Sequence, residues 1–282
     1  MVKLFSSFSR RSRRWIHPLL SVTMAVLVIV GQPIVAQALP WGDLILRGIQ
    51  VIQLSSMSDR QEVEIGKQIN QELIGKGRVR LYRDSRVTQY VDSIGQRLAV
   101  QSRRPNLPYT FQVVDDSGVN AFATMGGFIY VNTGLIKLAE NEAELASVLG
   151  HEIAHVAAKH SLRQAREMAI ASGVAGAAGV NRNILVNIGV ELALRRPHSR
   201  QAEYEADQLG LENLRQAGYA PSAMVSFMRK LMGTSPIPTF LSTHPATSDR
   251  VTRLQQAIGP NQLDAGDGLD TVSYRERIRP LS

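Results

Sequence analysis

His151-Glu152-Ile153-Ala154-His155 is the segment of this 282-residue chain with the most definite chemistry. On an α-helix, residues i and i+4 lie about 40° apart, so both imidazoles leave one face and can reach a single metal ion. Two nitrogens at about 2.0–2.1 Å suit zinc. Glu152 points roughly 100° away from His151 around the same helix. That is too far round for a like ligand, and well placed to take a proton from an activated water. The chemistry implied is hydrolysis. The chain has no cysteine, which removes thiolate ligands, disulfides and a cysteine nucleophile.

A hydrolytic zinc needs a third protein ligand and an open fourth position. Glu203-Tyr204-Glu205-Ala206-Asp207 offers Glu203 and Asp207 on one helical face. One carboxylate could ligate while the other hydrogen-bonds a ligating imidazole. His160, nine residues past His151, falls on the opposite face of an unbroken helix and reads as solvated.

These residues need elements to carry them. Ser58-Asp59-Arg60-Gln61 has the form of a capping box, with Ile65, Ile69 and Leu73 following at helical spacing. A second amphipathic helix is predicted from Asp84 to Val100. Strands are predicted at Tyr109–Val114, Val119–Ala123 and Phe128–Asn132, with Gly126-Gly127 as a turn or bulge. One long buried helix is expected from Asn141 to about Met168, carrying both histidines. Residues 169–194 are rich in Ala and Gly. They read as a packed hairpin, a lid or a membrane-surface contact, and each uncharged piece is too short to span a bilayer. Helices follow at Ser199–Gln216, after Pro221, and at Thr247–Ile258, and the tail after Gly259 has little pattern. The pattern implies an α+β fold, mostly helical, with a small sheet.

The formal charge of +8 is concentrated at the start of the chain. Without Lys3, Arg10, Arg11, Arg13 and Arg14 there remain 27 basic against 24 acidic residues. The high pI therefore gives no support to nucleic-acid binding. The basic stretch is followed by an apolar core, Leu19–Val30, a break at Gly31 and Pro33, and Ala36-Gln37-Ala38 in the small-x-small form of a signal-peptidase site. Cleavage by signal peptidase is expected after Ala38, with export by the Sec or the twin-arginine route. The rival is an uncleaved anchor over the uncharged stretch Trp15–Gly42. Either places the domain outside the cytoplasm, in the periplasm or on the extracytoplasmic membrane face. The expected organisation is a signal peptide (1–38), a linker (39–57), a catalytic domain (58–260) and a C-terminal tail (261–282).

In these residues the chain resembles the gluzincin metallopeptidases that include CAAX prenyl endopeptidases, HtpX heat-shock proteases and periplasmic quality-control proteases. Leu149-Gly150-His151-Glu152-Ile153-Ala154-His155 is similar to the family's zinc helix. Val119-Asn120-Ala121-Phe122-Ala123 and Gly126-Gly127-Phe128-Ile129-Tyr130-Val131 are similar to its strand segment beside the active site, although Thr124-Met125 replaces a common Pro. Glu203-Tyr204-Glu205-Ala206-Asp207 is similar to its Glu-x-x-Ala-Asp motif, and Ser242-Thr243-His244-Pro245 with Arg250 to its late His-Pro…Arg motif. The resemblance implies a zincin domain with one Zn2+ per chain held by His151, His155 and Glu203. It implies Glu152 as base, Asp207 and Arg250 as support, and Asn120, Ala121, Phe122, Ala123 and Gly127 beside substrate. His244 would stabilise the oxyanion or sit as a fourth ligand in a latent state. The implied activity is zinc-dependent endopeptidase action on unfolded or misassembled proteins in cell-envelope quality control. A periplasmic zinc-binding chaperone with little proteolysis is the alternative. The sequence carries no signature of oligomeric state.

Overall fold

The computed structural model describes residues 51–174, 179–245, 247–259 and 265–281. The expected signal peptide, its cleavage site and the start of the linker lie outside the described residues.

A two-residue strand β1 (Val51–Ile52) leads to helix α1 (Asp59–Gly75). Ser58 and Gln61 form the capping box, each side chain accepting from the other's backbone N–H. Helix α2 (Ser85–Ala99) starts at Asp84, whose carboxylate accepts from the Arg86 and Val87 N–H groups. Three strands follow: β2 (Thr110–Val114), β3 (Ala121–Ala123) and β4 (Phe128–Asn132). They form a sheet in the order β2-β4-β3, with β4 parallel to β2 and antiparallel to β3, Phe122 facing Tyr130. Period-2 alternation assigns the two faces to different cores. Phe111, Val113, Ala121, Ala123, Ile129 and Val131 join one apolar cluster, and Val114, Phe122, Phe128 and Tyr130 the other.

Next come α3 (Thr133–Leu138), α4 (Glu142–Ala157) and α5 (His160–Ala171). Strand β5 (Val180–Asn181) pairs antiparallel with β1 and precedes α6 (Arg182–Arg195). The remaining helices are α7 (Arg200–Gln216), α8 (Ser222–Gly233), α9 (Thr239–Thr243), α10 (Ser248–Ile258) and α11 (Thr271–Ile278). The α+β architecture with a small sheet beside the histidine helix is as expected. Among the described residues no helix is long and apolar enough to cross a membrane.

Two local expectations change, for the helix after Asn141 and for the tail, while the packed-hairpin reading of residues 169–194 agrees with the described parts of that segment. The single helix from Asn141 to Met168 is two helices, because Lys159 takes a left-handed conformation (φ 56°) and turns the chain before His160. The described parts of residues 169–194 contribute to a pair of helices, α5 and α6, packed on each other, with α6 also against α1. The tail is not patternless, for α11 buries Tyr274 and Ile278, and the Tyr274 hydroxyl donates to the Ile136 carbonyl.

Helix α4 is buried along almost its whole length, packed against α2, α7, α8 and β3. It crosses α7 at Gly150 and Gly210. A Cβ on Gly210 would lie 3.2 Å from the His151 backbone, so the missing side chain permits the approach. That closeness carries the acids of α7 to the histidines of α4.

Candidate metal centre

Helix α4 presents His151 and His155 one turn apart, with their Nε2 atoms 3.0 Å from each other. Glu203, in the first turn of α7, brings Oε2 to 3.5 Å from His151 Nε2 and Oε1 to 3.4 Å from His155 Nε2. His244 follows α9 directly. Its Nδ1 is 3.3 Å from His151 Nε2 and 3.2 Å from Glu203 Oε1. One ligand atom from each of these four residues lies within 4.8 Å of the others, and all four side chains are buried.

The donor set fits zinc. A tetrahedron with arms of 2.0–2.1 Å has edges of roughly 3.3 Å, the spacing found here between imidazole nitrogens and carboxylate. Glu152 faces the same space from the other side, its Oε1 3.4 Å from His244 Nε2. Glu152 is wholly buried, and among the described residues neither carboxylate oxygen has a hydrogen-bond partner. A buried carboxylate without hydrogen bonds costs several kcal/mol by order of magnitude, which makes Glu152 a candidate for chemistry at this site.

The charges follow from burial and neighbours. Burial raises the Glu152 carboxyl above its ordinary value, with the His244 and His151 imidazoles pulling the other way. Burial opposes ionisation of Glu203 too, but the histidines outweigh it and hold its carboxyl well below the usual range. Burial and the neighbouring His198 keep His155 well below its ordinary value, hence neutral, the form that ligates. Burial would depress His151 as well. The hydrogen bonds of Asp207 and Glu203 overcome it and push His151 up to about 9.

Asp207, one turn beyond Glu203, sets its Oδ1 3.2 Å from His151 Nδ1. Arg250, fully buried on α10, donates to Asp207 through Nε (2.7 Å) and Nη2 (2.6 Å). Its Nη1 pairs with Glu203 at 2.6 Å and donates to the Pro245 carbonyl at 3.0 Å. One guanidinium thus joins the third donor, the acid behind His151 and the loop after His244.

The strand residues Asn120, Ala121, Phe122, Ala123 and Gly127 lie along β3 and its turn, beside α4. Asn120 O accepts from Asn132 N–H and Thr124 N–H donates to Phe128 O, so Ala121 and Ala123 direct their backbone groups away from β4. Among the described residues no strand pairs with that edge. Its start is covered by α9, with Phe240 N–H donating to the Val119 carbonyl.

Three groups are additional to those expected. His160 is buried, not solvated, and its Nδ1 lies 2.8 Å from His155 Nδ1. Helical periodicity could not place it, because the helix breaks at Lys159. His198, just before the α7 cap, stacks on His155 with ring centroids 4.0 Å apart, and burial holds it down at about 3. Nothing in the sequence around it signals that contact. Glu62, buried on α1, accepts from Arg104 Nη2 (2.7 Å) and the Gly126 N–H (3.3 Å), while Arg104 Nη1 donates to the Val156 carbonyl (3.0 Å). This clamp ties the turn after β3 to the C-terminal end of α4.

Residues 85–258 match the description "Peptidase family M48". The beta-barrel assembly-enhancing protease of Escherichia coli (strain K12) is 30% identical over 214 residues, 70% of this chain and 44% of the relative. Mitochondrial metalloendopeptidase OMA1 of Arabidopsis thaliana is 33% identical over 177 residues, 56% of this chain and 33% of the relative. Metalloprotease LoiP of Escherichia coli (strain K12) is 27% identical over 235 residues, 78% of this chain and 89% of the relative. The chain spans less than half the length of the first two.

Proposed function

The chain belongs to peptidase family M48, whose members are zinc metallopeptidases, and from that premise we propose that it cleaves internal peptide bonds of unfolded or misassembled envelope proteins outside the cytoplasm. His151, His155 and Glu203 hold the metal, and Glu152 is the base. The observation that carries this reading is the convergence of four buried donors on one point, faced by a buried carboxylate that makes no hydrogen bond among the described residues.

Zinc, when bound, supplies a Lewis acid that acidifies water and polarises the scissile carbonyl. Glu152 takes the proton of the attacking water and returns it to the leaving amine nitrogen. Its burial raises its basicity toward working pH, which suits that shuttle. Asp207 fixes the orientation of His151 through Nδ1, and Arg250 fixes Asp207 and Glu203 together. An extended substrate adds to the open edge of β3, its backbone meeting Ala121 and Ala123, framed by Asn120, Phe122 and Gly127.

His244 acts as a latch. Its Nδ1 stands among the donors, and its ring stacks on Phe240 at 4.5 Å between centroids. No side chain of the cluster is more than 3% exposed, so a substrate reaches Glu152 only when α9 and His244 move aside. The envelope location rests on the basic and apolar start of the sequence and on the name of the assembly-enhancing relative.

Glu152→Gln tests the mechanism. It should bind zinc as the parent does and lose at least about a hundredfold in the rate of cleaving an unfolded protein. Undiminished cleavage by the zinc-loaded variant would remove Glu152 from the base role.

A further inference from the structure

The two histidines of α4 are supported unequally. His151 has a carboxylate directly behind it, Asp207. Among the described residues His155 has none: its Nδ1 faces another imidazole, His160 Nδ1, at 2.8 Å. His160 Nε2 in turn lies 3.2 Å from Glu205 Oε2, and Glu205 pairs with Arg163 Nη2 at 2.9 Å. His160 is 3% exposed, while Glu205 and Arg163 line a cleft of about 300 Å³.

Proton placement in this row is constrained. Two ring nitrogens 2.8 Å apart require one N–H donor and one acceptor. His155 Nε2 faces the other donors of the metal centre, so the proton of neutral His155 belongs on Nδ1. His155 Nδ1–H then donates to His160 Nδ1. His160 must carry its own proton on Nε2, and it finds Glu205 there as acceptor. Every hydrogen bond runs the same way, from the metal centre out to a carboxylate. The reverse direction would leave His155 Nε2 protonated and turned toward the other donors.

We propose that His160 and Glu205 are positioning residues that hold His155 in its metal-binding tautomer through a His155–His160–Glu205 relay. The inference rests on the zinc reading of the site. Helix α7 then uses three of its four acids there: Glu203 as ligand, Asp207 behind His151, and Glu205 behind His155 at one remove. The left-handed Lys159 is what brings His160 back under His155. Glu205, open to the cleft and paired with Arg163, has its carboxyl held below the usual range chiefly by that arginine's hydrogen bond, so it stays an acceptor.

The test measures zinc affinity by chelator competition at pH 7.5 on the full chain in mild detergent. His160→Phe removes the acceptor and should weaken zinc binding by about 10–100-fold. His160→Asn places an amide oxygen close to the position of Nδ1 and should restore affinity to within about threefold. Glu203→Gln reports on the metal centre itself. If Glu203→Gln binds zinc as tightly as the parent, the metal reading has failed. If Glu203→Gln loses zinc while His160→Phe keeps it, the relay alone has failed. An equal loss in the Asn and Phe variants also overturns the relay, since shape rather than acceptance would then matter. Should His160→Phe not fold, nitrogen-15 histidine spectra of the zinc-loaded parent decide: His155 protonated on Nδ1 and His160 on Nε2 support the relay, and His160 protonated on Nδ1 overturns it.

Discussion

Arg250 holds more of the site together than any other side chain, and its removal has a calculable effect. It is 2% exposed and pairs with two carboxylates, Asp207 and Glu203, that are also buried. Arg250→Met keeps much of the volume and removes the cation, leaving buried acids without their partner. Breaking one side of a buried pair costs about 3–5 kcal/mol. For a domain of this size that corresponds to a melting temperature lower by roughly 6–20 °C. The assay is urea unfolding of chelator-treated protein. Arg196→Met, which breaks the exposed pair with Glu191, is the control and should cost no more than about 1 kcal/mol. Linkage adds a second signature. Burial works against ionised Asp207, yet the hydrogen bonds of Arg250 and His151 outweigh it and hold the carboxyl below its ordinary value. This depressed group stabilises the fold above its unfolded value, near 4, and that contribution is lost only as pH falls through the lower folded value. Without Arg250, burial prevails and the carboxyl rises. The folded variant then binds the extra proton, so the penalty should be greatest near pH 7–8 and shrink toward pH 5. Adding Asp207→Asn should recover part of it, since no charge is then left unpaired at that position. A loss no larger than the control, independent of pH, would refute the reasoning.

Other outcomes follow from the same geometry. His244→Ala should raise the turnover of an unfolded substrate severalfold by freeing the covered site, and lower turnover with unchanged zinc affinity would count against the latch. Zinc binding at pH 7.5 should release about one proton per ion, since His151, pushed up to about 9, must give up its proton to ligate. Calorimetry in buffers of different ionisation enthalpy measures this, and a heat that does not depend on the buffer would contradict it. Gly126 has φ 76°, and a Cβ there would sit 2.7 Å from Val63 Cα. Gly126→Ala should therefore cost about 1–3 kcal/mol and raise KM for polypeptide with little change in zinc affinity. Unchanged stability and KM would show that this turn does not position the edge strand.

Much of the site was legible because it is local. The i,i+4 histidines and the Glu203/Asp207 pair are set by the pitch of one helix, and caps at Ser58, Asp84, Ser199 and Thr247 mark helix starts through side chains that bond their own backbone. The break at Lys159 was not legible, since nothing in Ala157-Ala158-Lys159 demands a left-handed residue. One dihedral there moved His160 from a supposed solvent face to the back of His155.

The sequence by itself determined which side chains could ligate and activate, because that depends on residue type and on spacing within single elements. Tertiary structure alone decided their company. The crossing of α4 and α7 at Gly150 and Gly210 brings Glu203 to the histidines. The packing of α10 puts Arg250 between two carboxylates, and α9 lays His244 over the site. These contacts join residues 41 to 93 positions apart, and no local rule of pitch or capping reaches across such distances.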